Sequence, residues 1–132
     1  MRGIPEEFND LLADETKAFA FLATVMKDGS PQVTPVWFNV EDDFILINSA
    51  TGRVKDKNIR KRPQVAMTIM DPKLPYRYLQ VRGKVVEITE EGAADHIHAL
   101  SRKYHGHDYN IPEGMVRVTY KILPNHTLGK EY

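Results

Sequence analysis

Apolar and polar positions alternate along this chain mostly with the period of strands. Ala18 to Met26 (AFAFLATVM) is an apolar, β-prone run. The Lys27-Asp28-Gly29-Ser30 stretch behind it carries an Asp-Gly turn signal. Pro31 to Glu41 (PQVTPVWFNVE) reads as the next strand, with Val33, Pro35, Trp37 and Asn39 on one face and Thr34, Val36 and Phe38 on the other. The same period places either Trp37 or Phe38 inside, and Pro35 points to an edge strand or a bulge. Asp42-Asp43 turns the chain into a third strand, Phe44 to Ala50 (FILINSA). Gln64 to Met70, Tyr76 to Thr89 and Met115 to Leu123 complete six, with a proline-rich loop at Asp71 to Pro75.

Three segments follow the helical period instead. Pro5 to Ala13 puts Phe8, Leu11 and Leu12 on one face, with Glu6 and Glu7 at its start. Lys55 to Arg62 is a short polar helix closed by Pro63. In Glu90 to Tyr104, the residues Ala94, Ile97, Leu100 and Tyr104 recur at helical spacing. Strands joined by tight turns cannot form a parallel sheet, which needs long crossovers. The expectation is a mainly β single domain over residues 1–132, a six-stranded antiparallel barrel with helices packed outside.

Composition narrows the function. Basic and acidic residues balance at 18 each, so the chain lacks the positive excess of a general nucleic-acid binder. There is no cysteine, which excludes disulfides, thiolate metal sites and cysteine catalysis and suits a cytoplasmic setting. The opening residues lack the apolar core of a signal peptide, and no run of about 18 apolar residues suggests a membrane span. The histidines read as plain surface residues: His96 and His98, two apart on a helix, cannot share a metal.

The stretch with most chemistry is Ile47 to Arg62, INSATGRVKDKNIRKR. Asn48, Ser49 and Thr51 offer polar groups at a strand end, Gly52 allows a tight turn, and Arg53 and Lys55 fall at a helix start. Free backbone N–H groups and two cations converge there, as a phosphate needs. The competing reading is a solvated helix face.

In order and spacing, PQVTPVWF followed by FILINSATGRVKDKNIRKRPQVAMTIMD resembles the pyridoxamine-phosphate-oxidase-like split-barrel family, and most of all its deazaflavin branch, which uses coenzyme F-420. YLQVRGKVVEITEE, LSRKYHG and RVTYKILPNH extend the resemblance over nearly the whole chain. It implies a split β-barrel working as a homodimer with cofactor clefts at the interface. It also implies an oxidoreductase moving a hydride to or from a small organic substrate, with no catalytic side chain and no metal. Thr34, Pro35, Val36 and Trp37 would line the ring. Ser49, Arg53, Lys55 and Asn58 would hold the phosphate, Asn48 and Thr51 beside them, and Gln80 would lie near the interface and cleft. FMN is the alternative cofactor, and a non-catalytic flavin, deazaflavin or tetrapyrrole carrier the alternative role.

Overall fold

A computed structural model describes residues 1–132. The strands are β1 (Phe19–Val25), β2 (Pro31–Val36), β3 (Asn39–Glu41), β4 (Phe44–Ala50), β5 (Gln64–Met70), β6 (Arg77–Thr89) and β7 (Arg117–Glu131). The helices are α1 (Val54–Lys61) and α2 (Ala93–His105). All neighbouring strands are antiparallel, in the order β2-β1-β5-β6-β7-β4-β3. The two outermost strands, β2 and β3, are consecutive in the chain and separated only by Trp37 and Phe38. The sheet therefore curls until its edges meet at these two residues. A covalent seam closes it there, where a ladder of hydrogen bonds would close a continuous barrel.

That seam corrects the expectation of one strand over Pro31 to Glu41 and brings the count from six strands to seven. Phe38 turns fully into the core. Its N–H donates to Tyr104 Oη at 3.3 Å, and its carbonyl accepts from Lys103 Nζ at 2.7 Å. With both backbone groups bonded to α2, Phe38 cannot continue a ladder. Buried polar groups must find partners somewhere, and here a helix supplies them. β2 is an edge strand, as Pro35 suggested.

The core fills the barrel with Ala20, Leu22, Val36, Phe38, Ile45, Ile47, Met67, Ile69, Leu79, Val81, Val118, Tyr120 and Ile122. β4 is buried along almost its whole length, Asn48 and Ser49 included, because both of its faces are covered. Ile45 and Ile47 point into the barrel, while Leu46, Asn48 and Ala50 lie beneath α2 and are buried as well. Phe8, Leu11 and Leu12 cap one end of the core from a 3-10 helix, Glu6–Leu12, which is tighter than the α-helix its spacing suggests. Arg77 ties this segment down through Asp10 (2.6 Å), Asp71 (3.1 Å) and the Glu7 carbonyl (2.6 Å).

β7 runs eight residues beyond the expected end at Leu123. Pro124 does not stop it, because it sits opposite Gly83 at a register shift between β6 and β7. Gly83 is required there: a Cβ would lie 2.6 Å from the Leu123 carbonyl oxygen. No helix is long and apolar enough to cross a membrane.

Candidate cofactor cleft

β4 delivers the chain to the turn before α1. Gly52 adopts φ 86°, a conformation that disfavours any residue with a Cβ. Asp56, buried one turn into α1, fixes the turn. Its carboxylate accepts from the Gly52 N–H at 3.0 Å, from Tyr120 Oη at 2.6 Å and from Arg60 Nε at 3.0 Å. Burial works against this carboxylate, but the three donors outweigh it and hold its pKa below the usual range. Thr51 and Arg53 are exposed at the turn, Lys55 is half-buried, and Ser49 is buried in the strand behind them. Asn58 faces away from this group. Its amide donates to Thr24 Oγ1 at 3.0 Å and Met26 Sδ at 3.2 Å, and it ties α1 to β1.

Lys55 reaches a cleft of about 390 Å³ outside the barrel wall, where the seam, α2 and the start of β7 meet. Phe19, Pro35, Val36 and Trp37 form one wall. Trp37 stacks on Tyr104 with centroids 5.3 Å apart and planes 10° apart, and Phe19 stacks on the same ring at 5.2 Å. The period-2 choice between Trp37 and Phe38 thus resolves with Phe38 in the core and Trp37 in the cleft. Thr34, on the inward face of β2, has a buried hydroxyl without a partner.

The opposite wall holds residues the sequence reading passed over. Arg117 opens β7 opposite Ala50 and is only 6% exposed. Its Nε donates to Asn48 Oδ1 at 2.8 Å, and Tyr109 lies over its guanidinium at 5.3 Å. Asn48 in turn donates to the Ala93 carbonyl at 2.9 Å and to His96 Nδ1 at 3.1 Å. With Nδ1 accepting, the His96 proton sits on Nε2 and is donated to Asn39 Oδ1 at 2.8 Å. His96 is therefore no surface histidine. Burial first, and the nearby Arg117 second, push its pKa down to about 4. Burial also lowers the Lys55 ammonium, and Arg53 and Arg117 push it the same way. No carboxylate pairs with Arg53, Lys55 or Arg117 in any ion pair of the molecule.

Gln80 does not line this cleft. It is exposed on the outer face of β6, beside Arg82, in a shallow apolar depression of about 470 Å³ with Phe21, Val33 and Leu128. Two of the cations downstream of Lys55 are also occupied, Arg60 by Asp56 and Arg62 by the Val25 carbonyl at 2.8 Å.

The fold and the cleft define an antiparallel split barrel whose cleft is lined by aromatic side chains and by two cations without an ion-pair partner. The chain belongs to the pyridoxamine 5'-phosphate oxidase family, whose model matches residues 4–126. Among solved structures it is similar to an F420 reductase, with 34% identity over 95% of this chain and 98% of that one, at a TM-score of 0.84. A conserved hypothetical protein of Mycobacterium tuberculosis shares the fold at 23% identity, 97% and 86% coverage and a TM-score of 0.75. General Stress Protein 26 of Bacillus anthracis does so at 22% identity, 95% and 92% coverage and a TM-score of 0.72. No curated protein matched the chain.

Proposed function

We propose that this chain is a coenzyme F-420-dependent oxidoreductase that works as a homodimer. The observation that carries the reading is that Lys55 and Arg117 line one cleft together with Phe19, Pro35, Val36 and Trp37. A tricyclic ring with a phosphate arm needs that pairing, and the cleft volume suits a small-molecule site. Cations with no internal counter-ion fit an anionic arm, because a buried charge without a partner is costly. When bound, a deazaflavin supplies a hydride from a ring carbon.

The chain's own part is to bind, orient and shield. Arg53 and Lys55 would hold the phosphate beside the turn that Asp56 fixes. Pro35, Val36 and Trp37 would set the plane of the ring. Tyr104, its pKa pushed up to about 12 by burial, keeps its proton at neutral pH, and its hydroxyl is engaged by the Ala18 carbonyl at 2.5 Å. Any proton the reaction needs would come from solvent, and no protein nucleophile is called for.

The phosphate cradle serves FMN equally well; the likeness to an F420 reductase favours the deazaflavin. The test is separate titration with coenzyme F-420 and FMN, followed by anaerobic single turnover of each reduced cofactor against conjugated acceptors such as quinones. Tight binding and oxidation of reduced F-420 support the proposal. Binding and turnover of FMN alone would move the chain to the FMN branch. Binding of both with turnover of neither would make it a carrier.

A further inference from the structure

We infer that Arg117 is the third cation of the phosphate site, aimed into it by Asn48 and, through Asn48, by His96. The inference rests on the cofactor reading above and deepens it. Arg117 lies 64 residues from Arg53 in sequence, yet its strand pairs it with Ala50, immediately before the Thr51-Gly52-Arg53 turn. It lines the same cleft as Lys55.

The molecule's ion pairs occupy Arg60, Arg77, Arg102, Lys103 and Lys121, and none includes Arg117 although it is buried. Its protein partners are all neutral: the Asn48 amide oxygen, Met115 Sδ at 3.4 Å and the Tyr109 ring. A guanidinium has five N–H donors in a planar fork suited to phosphate oxygens. Only Nε and one Nη1 hydrogen are directed at protein atoms in these contacts. A buried arginine so placed beside two further cations lacks an anion, and the chain provides none.

Asn48 also lines the cleft, but its amide is committed to protein partners and so aims this fork. Its oxygen accepts from Arg117, and its two N–H groups are taken by Ala93 and His96. His96 can accept from Asn48 only while Nδ1 is unprotonated, and Asn39 secures that tautomer from the other side. The arrangement is a chain of hydrogen bonds running from β3 through α2 and β4 to β7, with Thr119 Oγ1 beside the Asn48 amide and His96 Nδ1.

The experiment measures dissociation constants for FMN and coenzyme F-420, and the rise in melting temperature on adding inorganic phosphate. Wild type is compared with Lys55→Ala, Arg117→Ala, Arg117→Lys and Asn48→Asp. Arg117→Ala should weaken both cofactors about 10- to 150-fold, as expected for losing one charged hydrogen-bonding partner, and should abolish the phosphate-dependent rise. Arg117→Lys should recover part of the affinity. Asn48→Asp leaves Arg117 in place but pairs it with a carboxylate, so it should weaken the anions comparably without lowering the anion-free melting temperature as far as a packing defect would. If Arg117→Ala fails to fold, Arg117→Lys and Asn48→Asp decide the matter.

Wild-type affinity in Arg117→Ala alongside weak binding in Lys55→Ala would overturn the inference and leave the cofactor reading intact. Wild-type affinity in Asn48→Asp would overturn the positioning role. If neither cofactor binds wild type but phosphate protects it and not the Arg117 variants, the cofactor reading fails and the anion clamp stands. If phosphate protects nothing and neither cofactor binds, both fail.

Discussion

Lys55 and Lys61 sit on one short helix, but only Lys55 turns into the cleft. Lys55→Ala should therefore weaken cofactor binding by about 1.5–3 kcal/mol, while Lys61→Ala should bind as wild type does; fluorescence titration of both variants checks this. His96 yields a second residue-scale outcome. Its folded pKa of about 4 lies below its ordinary 6.5, so between those values the unfolded chain binds more protons. The neutral ring's contribution is then complete above pH 6.5 and declines as pH falls toward 4. Thermal melts at pH 7.5 and pH 4.5 should show a smaller pH-dependent loss in His96→Gln than in wild type. The groups around this ring are Asn39, Asn48, Thr119 and Arg117, so no acid competes for the effect. The placement of Arg53 and Lys55 at the start of one helix was legible because both residues sit in one local motif. The place of Arg117 in the same cleft as Lys55 was not, because its partners are brought to it by the β4–β7 pairing, a contact between distant segments. The available signal was an arginine at a strand start, on the same alternation face as Thr119 and away from the Val118–Tyr120–Ile122 core face.

Among the elements, the seam depends most on side chains. Tyr104 receives the Phe38 N–H and donates to the Ala18 carbonyl, while Lys103 holds the Phe38 carbonyl. Tyr104→Phe removes one hydroxyl and strands two buried backbone groups. It should cost about 1–3 kcal/mol in chemical denaturation and accelerate amide exchange at Phe38 ahead of the β5 and β6 amides. β1, β4, β5 and the turns before β2 and β4 were readable, because apolar strand runs, Asp28-Gly29 and Asp42-Asp43 are local signals. The break at Trp37-Phe38 was not, since both residues are good strand formers and the competitor for their backbone is a helix about 65 residues away. The extension of β7 past Pro124 was hidden for a related reason. A proline is tolerated where the partner strand slips register, and only the pairing with Gly83 reveals that slip.

For the whole molecule, the outer sheet face is the feature to test. Val33 is 58% exposed and Leu128 55%, and they flank the depression lined by Phe21, Ala66, Gln80 and Arg82. A second copy of this chain is the occupant that the homodimer proposal places there, and a stable isologous contact would bury more than about 1,000 Å² in total. The face adjoins the cofactor cleft through neighbouring residues of β1 and β2, Phe21 beside Phe19 and Val33 beside Pro35. Sedimentation at micromolar concentration should show a dimer for wild type and a monomer for Val33→Asp combined with Leu128→Asp, with cofactor affinity falling in the variant. A wild-type monomer that binds cofactor fully would rule the dimer out.

Trp37 is the chain's one tryptophan, and it stands in the cleft wall against Tyr104. Its position makes the protein's indole emission a local signal. No second indole dilutes it, and anything that lies flat against that wall must alter its quantum yield or its energy transfer. The same ring belongs to the seam, so one wavelength follows both the filling of the cleft and the opening of the barrel. The two can be told apart by whether the change saturates with ligand or appears with denaturant.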